Sequence, residues 1–553
     1  MNKNPVLKWL QGNLMPGYLL VAGLGVVGLL LATQPAMAQE EGERFTIDHF
    51  VVQGNSLLNS AGIDAVLQPF TGPQRSYSDI QRATEALRLH YFNQGFSVVW
   101  IMVPEQDLDQ GIVTLQIIEG RIGTVTVTGN RYFDNANIRA SQPALAEGTI
   151  PAMGSISANV QLANENPGKQ VDVVLRQATT AGVVDATVAV IDERPLKAFM
   201  TFDNTGNQQT GDYRLGVGVQ HANLFGRDQV GTFNFVTSPD HASKVSQYSA
   251  SYRLPLYGHD NSLDFIAAYS DVNAGTAQTV AGPLTFSGKG TVYGLRYNQL
   301  LSRHGEYSHQ LVYGFDYRAY KNTCSLGDFG AAGCGPAAVD VTASPLSVTY
   351  SGNWARPERI SEFYLTLAHN LSSGGHGSEA NFNAARPSPD GNGGASSSYT
   401  ILRLGTSIVQ GLGNNWQVRA AINAQYTPDA LITGEQFGST GATAVRGFLE
   451  REIARDTGFS ANFEIYSPDL VGILVPGEGN LRALLFYDTA RSANNTLGGE
   501  SRQQSSIASV GAGLRWNLGR NLNIRFDVAR VVDAGGSQQV GDYRGHISLY
   551  LGI

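Results

Sequence analysis

The sequence predicts a transmembrane antiparallel β-barrel of about sixteen strands, preceded by two small α+β domains. Three observations lead there. Charged residues make up 15% of the 553-residue chain, far below the ~25% of an ordinary soluble protein. Glycine is abundant, with 64 residues against a usual share of ~7%. The mean hydropathy is only −0.13, and past the N-terminus no apolar run reaches the roughly 18 residues of a membrane helix. Few charges, many glycines and 9% aromatics suit strands that are greasy only at every second residue. The same composition excludes a polytopic helical membrane protein and argues against a disordered or coiled-coil chain. A net charge of −8 gives no electrostatic reason to expect a nucleic-acid partner.

The N-terminus reads as an export signal. Lys3 and Lys8 are the only charges before Glu40. The apolar stretch Leu19–Ala32 follows, then Ala36-Met37-Ala38, a small-x-small cleavage pattern. Residues 1–38 are expected to be a signal peptide; the alternative is an N-terminal anchor helix. Gly23-Leu24-Gly25-Val26-Val27-Gly28 spells GxGxxG. That fingerprint must open a helix after a buried strand in a βαβ unit, with an acid about 20 positions on, and here it sits in an export signal instead.

Two related segments come next, repeating at about 75 residues. The first, 39–120, opens with a strand over Phe45–Val52 and then Gly54-Asn55. Ser78-Asp79-Ile80-Gln81 reads as a capping box. Ile80, Ala83, Leu87 and Tyr91 form one helical face, and Gly95 is the expected C′ cap. Strands over Ser97–Val103 and Val113–Ile118 close the unit. The second, 121–195, opens with Gly123–Thr128 and Gly129-Asn130. A helix over Ala158–Asn166 and strands over Gln170–Leu175 and Asp185–Ile191 follow. The order is β-α-α-β-β, twice.

From about Leu196 to Ile553 the pattern alternates. Tyr213, Leu215, Val217 and Val219 interleave with Arg214, Gly216, Gly218 and Gln220. Leu522, Ile524, Phe526 and Val528 interleave with Asn521, Asn523, Arg525 and Asp527. Alternation alone does not separate a soluble barrel from a membrane one, but connection lengths do. Long connections (Asp271–Gly290, Tyr320–Ala343, Leu371–Ser397, Thr427–Thr457) alternate with short ones (Ser302–His304, Arg356–Arg359, Gly411–Asn414, Gly519-Arg520). Short periplasmic turns and long outer loops mark an outer-membrane barrel. The last strand presents Ile547, Leu549, Leu551 and Ile553 outward. Closure is required, because an open edge leaves unpaired backbone groups in lipid. Cys324 and Cys334 share one long loop, where oxidising conditions favour a local disulfide contributing at most about 3 kcal/mol.

At this point the chain resembles a known family, the outer-membrane transporters of two-partner (type Vb) secretion, which export hemolysins and filamentous-hemagglutinin-like adhesins. The repeats resemble POTRA (polypeptide-transport-associated) domains. Asp203-Asn204-Thr205-Gly206 with Thr210-Gly211 resembles the first barrel strand and loop of these transporters. Val445-Arg446-Gly447-Phe448 resembles the VRGY/F motif at the tip of the sixth outer loop, and Phe486-Tyr487-Asp488-Thr489-Ala490 resembles the FxDxG motif on the thirteenth strand. VRGF about 40 residues before FxDx, downstream of two such repeats, is a specific combination. Ala490 replaces the expected Gly, and Ile553 stands where the assembly signal usually ends in an aromatic. The few residues between Ala38 and the first strand leave no room for the plug helix some members carry.

Residue parity supports the motif reading independently. Arg482, Leu484, Phe486 and Asp488 share one face, opposite Leu481, Ala483, Leu485 and Tyr487. Asn462, Glu464 and Tyr466 likewise oppose Ala461, Phe463 and Ile465. Asp488 and Glu464 therefore point into the lumen from neighbouring strands, where a loop carrying Arg446 can reach them. Such a pair either only holds the loop in place or, as the resemblance implies, serves secretion.

The expected function is export of an unfolded partner exoprotein from periplasm to cell surface without ATP, since no GxxxxGK[ST] exists. The expected partners are that exoprotein, outer-membrane lipid and the barrel-assembly machinery. The alternatives are a barrel-assembly factor inserting other outer-membrane proteins, and a passive porin. Neither HExxH nor GxSxG occurs and the ten His show no ligand spacing, so no enzyme, metal or cofactor is expected. Acid pairs such as Glu40-Glu41 and Asp192-Glu193 read as solvated charge.

Overall fold

The computed structural model describes residues 44–553 except 109, 209, 272–274, 280–281, 287–288, 322–335, 337–338, 472–478 and 520. The expected signal peptide, Glu40-Glu41 and the Cys324–Cys334 pair lie outside the described residues. The chain forms two compact units, the first ending at Gly120 and the second running from Arg121 to Ile553.

In the first unit, β1 (Phe45–Ile47), β2 (His49–Gln53), α1 (Ser60–Leu67), β3 (Gly72–Arg75), α2 (Tyr77–Asn93), β4 (Val99–Met102) and β5 (Ile112–Glu119) follow in order. The sheet runs β2-β5-β4, with β2 parallel to β5. The apolar face of α2 (Ile80, Ala83, Leu87, Tyr91) packs on Val113, Leu115 and Ile117 of β5. That stripe at i, i+3, i+7 and i+11 is what makes this segment a core helix. Gly95 is the C′ residue, at φ +91. Two expectations need correction. The strand expected over Phe45–Val52 breaks at Asp48, because β1 pairs with β3 while β2 pairs with β5. The capping box begins at Ser76 rather than Ser78. The Ser76 backbone N–H donates to Asp79 at 2.9 Å, so Tyr77 is already helical and Ser78 lies inside the first turn.

The second unit opens with a repeat of the same plan: β6 (Arg121–Thr128), α3 (Asn135–Ala140), α4 (Met153–Asn164), β7 (Lys169–Gln177) and β8 (Val183–Asp192), with sheet order β6-β8-β7. The helix expected over Ala158–Asn166 starts more than a turn earlier, at Met153. The two repeats share a device. Gly54 and Gly129 both sit at φ +85 where the first sheet strand ends, where a side chain would collide with the carbonyl of Ile117 or Val190. A carboxylate at the end of the last strand then receives the turning backbone. Glu119 accepts from Ser56 and Leu57 at 2.8 and 3.1 Å. Asp192 accepts from Arg131, Tyr132 and Phe133 at 2.7–3.0 Å. Asp192 is thus a structural acceptor rather than solvated charge; Glu193 pairs with Lys197 at 2.7 Å.

Among the described residues, sixteen antiparallel strands then close into a barrel, from Leu196–Asp203 to Tyr543–Gly552. Strands joined across short turns alternate with strands joined across long loops, as the connection lengths implied. Parity sorts the side chains. Val217, Phe233, Leu365, Leu367 and Phe526 are exposed on the outer face, while Asn234, Asp264, Asn298, Asp316 and Asp527 are buried within. Greasy-out, polar-in alternation is what lipid outside and water inside select. The first and last strands register at five pairs, Asp203↔Ser548 to Phe199↔Gly552. The Asn204 amide extends that ladder, donating to Gly545 O at 2.9 Å and accepting from Ile547 N at 3.0 Å. Ile553 exchanges backbone bonds with Ala198.

The second repeat is fastened to the first two periplasmic turns of the barrel. Lys169 and Asp228 form an ion pair whose side chains are 0% and 1% exposed. The Tyr257 hydroxyl donates to Asp228 at 2.7 Å. Asn166 donates to Ala222 O at 2.7 Å, Asn137 to Gly226 O at 2.7 Å, and Asn159 to Asp260 at 2.8 Å. Arg253 pairs with Glu165 at 3.3 Å.

Candidate functional site

The loop between the strands Gln417–Tyr426 and Thr457–Tyr466 carries the VRGF segment. A two-residue stem, Phe437–Gly438 against Ala454–Arg455, holds its limbs together. At the tip Val445 and Phe448 are fully buried with Ile453, Ala490, Ile507 and Val531. The methyl of Ala490, which replaces the expected Gly, is part of that cluster. Gly447 sits at φ +98, a left-handed conformation in which any side chain is strained. Its N–H donates to Nε2 of His546 at 2.9 Å.

Arg446, Asp488, Glu464 and Phe486 meet at one point. The Arg446 Nε donates to Asp488 Oδ2 at 2.7 Å and its Nη2 to Asp488 Oδ1 at 2.8 Å. This is the two-pronged geometry that a guanidinium offers and an ammonium does not. Nη2 also lies 2.9 Å from Glu464 Oε1, and Nη1 3.5 Å from Asp527 Oδ1. The guanidinium carbon sits 3.5 Å above the centre of the Phe486 ring, a cation–π contact in a largely desolvated site. Phe486 lies flat because Gly511, directly across the ladder, has no Cβ to collide with it. Asn462 bridges the two partners, donating to Asp488 at 2.9 Å and to Ala444 O at 2.6 Å.

Further cations complete the balance. Arg419 pairs with Glu464 at 3.0 Å, and Arg515 with Asp527 at 2.8 Å. Three guanidiniums thus face three carboxylates, with Arg446 at the centre and only 3% exposed. Burying a charge is costly unless it is paired and hydrogen-bonded, and here each one is. Asp488, Glu464 and Phe486 stand on the lumen face that strand parity assigns them. Parity also placed Asp527 on the polar face of its strand, without connecting it to Arg446. His546 went unnoticed, because a lone His on a closing strand carries no pattern.

Two other anchors of the same loop have no signature in the sequence. Glu435, 2% exposed, accepts from Arg318 Nη1 at 2.9 Å and from the Tyr320 hydroxyl at 2.8 Å. Asp456 accepts from Arg386 at 2.7 Å and from the backbone of Leu431 and Asn495 at 3.1 and 2.8 Å. Among the described residues no group of three or more His, Cys, Asp or Glu is arranged to hold a metal ion. The carboxylates here converge on guanidinium instead.

A closed lipid-facing barrel, soluble repeats ahead of it and a loop locked inside its lumen define a transport barrel of the outer membrane. Comparison with known proteins places it more closely. Residues 184–516 match the family model described as haemolysin secretion/activation protein ShlB/FhaC/HecB, and residues 45–120 match the ShlB-type POTRA domain. The chain belongs to that family of two-partner secretion transporters, which move a partner exoprotein across the outer membrane. It is 21% identical to the heme/hemopexin transporter protein HuxB of Haemophilus influenzae over 91% of this chain and 86% of that protein. It is 23% identical to the outer membrane transporter CdiB of Escherichia coli over 52% of this chain and 48% of that one. The solved structure of CdiB from Escherichia coli superposes with a TM-score of 0.74 at 18% identity, covering 95% of this chain and 93% of that one. CdiB from Acinetobacter baumannii gives 0.67 at 16%, covering 93% and 91%.

Proposed function

We propose that this transporter keeps its long loop locked in the lumen through Arg446, and that export of the partner depends on that lock. The observation that carries the reading is the desolvated Arg446 fork on Asp488, with Glu464 and Asp527 beside it. A loop needed only to fill space would not require a charge-balanced cluster at its tip. The lock sets where the loop lies and therefore what remains of the pore.

The proposed division of labour follows chain order. Residues 1–38 direct export of the transporter itself. The POTRA-like domains, 39–120 and 121–195, receive the unfolded partner in the periplasm, and the barrel, 196–553, passes it outward. An extended segment adding to the exposed edge of a three-stranded sheet gains backbone hydrogen bonds with little sequence demand, which suits an unfolded cargo. Folding of the cargo outside gives the direction. The barrel-assembly machinery inserts the chain, outer-membrane lipid surrounds it, and it performs no catalysis. Deleting Phe45–Gly120 tests the capture step: a barrel still reaches the membrane and export stops. Normal export by that deletion would contradict capture by the first domain.

A further inference from the structure

We propose that the exported chain travels along the wall built by the strands from Tyr307–Tyr320 to Gln417–Tyr426, and that Tyr364, laid flat over Gly405, sets the narrowest point of that route. This rests on the transport reading and adds its path and its gate residue.

Two cavities lie against this wall. One, of about 500 Å³, extends from Gln161 and Glu165 of the second soluble repeat along Gln310, Ser351 and Ser407. The other, of about 590 Å³, extends along Arg318, Arg403 and Gln425 to Thr440 and Thr443 of the long loop. Tyr364 and Asn423 line both. The cavities therefore meet at these two side chains, one opening toward the periplasmic repeat and the other alongside the loop.

The register explains how the meeting point is built. Tyr364 pairs directly with Gly405, and Gly405 with Asn423, in one row across three strands. Leu365 and Leu367 are exposed on the outer face, so Tyr364 belongs to the lumen side. Its ring crosses Gly405, where a Cβ would collide with it, and its hydroxyl donates to Asn423 Oδ1 at 3.3 Å. A tyrosine of ordinary posture would stand off the wall; the missing side chain lets this one lie along it.

The lining suits an extended polypeptide. Hydroxyl and amide side chains predominate in the first cavity, with Glu362 and Arg419 among them. Such groups exchange hydrogen bonds with any peptide backbone. The loop tip itself, Val445, Arg446 and Phe448, is buried, and the cavities run beside it, touching the ion cluster at Arg419 and the loop at Thr440 and Thr443.

The test uses the full-length protein in planar lipid bilayers with potassium chloride as permeant, after heat-modifiability has shown each variant folded. Gly405→Ala lifts the Tyr364 ring into the route, and conductance falls. Tyr364→Ala raises it, and Tyr364→Ala with Gly405→Ala restores it to the unmodified level or above. A charged methanethiosulfonate reagent blocks current through Ser407→Cys and Thr443→Cys, but not through Thr232→Cys on another wall or through the unsubstituted protein. Unchanged conductance in Gly405→Ala, failure of the double variant to restore it, or block at Thr232→Cys alone would overturn the route. If Gly405→Ala does not fold, the Tyr364→Ala increase and the cysteine pattern decide in the same way. The readout is ionic, so a wrong route is distinguished from a failure of transport, which the export assay reads separately.

Discussion

Two walls of one lumen are built on opposite terms. Around Arg446, charge is concentrated, desolvated and balanced: Arg446, Arg419 and Arg515 against Asp488, Glu464 and Asp527. Around Tyr364, hydroxyls and amides line open cavities and one aromatic lies flat over a glycine. The first arrangement suits a fixed position, because moving any member unbalances a buried cluster by one charge. The second suits passage, because hydroxyl and amide side chains, which exchange hydrogen bonds with any peptide backbone, make up most of the lining of the first cavity. A transporter needs both, and the contrast shows how a barrel of similar strands supplies them by varying only its inward residues.

The contrast is sharpened by breaking each side of it. The largest effect is expected from Arg446→Ala. Removing the central cation leaves Asp488 without its guanidinium partner, a loss on the order of 3–5 kcal/mol for a buried pair. Export per folded barrel should fall steeply, and the loop around residues 439–453 should become accessible to protease. Glu435→Gln should do less. It removes the charge facing Arg318 and Arg403 but keeps an acceptor for Arg318 and Tyr320, a loss of about 2 kcal/mol, so the loop loosens at one end and bilayer current becomes noisier with export reduced but present.

The joint between the second repeat and the barrel offers a control outside the lumen. Lys169→Met leaves Asp228 buried with only the Tyr257 hydroxyl, costing about 3 kcal/mol. Protease resistance of residues 121–192 should drop while heat-modifiability of the barrel stays intact. Smallest of all is the helix cap of the first domain. The Ser76 N–H donating to Asp79 holds its carboxyl below the usual carboxylate range. The group is depressed in the folded state, so its contribution is present above the ordinary carboxylate pKa and is lost as pH falls through the depressed value. Asp79→Ala should therefore destabilise the domain by about 1 kcal/mol at neutral pH, and the difference from the unsubstituted protein should vanish in strong acid, as read by protease resistance of residues 44–120.

Much of this was legible before any coordinates, for a physical reason. In a strand every second side chain shares a face. Alternation therefore put Asp488 and Phe486 on one face of their strand and Glu464 on the matching face of the next. The charges marked those faces as the lumen side, and the resemblance of Val445–Phe448 to the VRGY/F motif named the loop that reaches them. The strand count, the long and short connections and the core stripe of α2 were periodic in the same way. What escaped depends on how the barrel closes. Asp527 and His546 sit on the fifteenth and sixteenth strands, and nothing local says that they face Arg446 across the curvature of the wall. Glu435 lies in a loop without periodicity, and its partner Arg318 is 117 positions away in the chain. The break at Asp48 was hidden because β1 and β2 are continuous in composition and differ only in which strand they pair with. The capping box slipped by two positions because Ser76 and Ser78 are chemically equivalent, and only the path of the backbone chooses between them.

The lock itself is tested most directly by a double-mutant cycle on Arg446 and Asp488, reading partner exoprotein in the medium normalised to folded barrel in the outer membrane. Each single substitution unbalances the cluster by one charge. Asp488→Ala should be the milder, because Glu464 and Asp527 still face Arg446. Removing both residues leaves Arg419 with Glu464 and Arg515 with Asp527, again balanced. The double variant should therefore export clearly more than the product of the two single losses allows. Strictly multiplicative losses would mean that the two residues act independently, and the lock would be wrong even though both residues mattered.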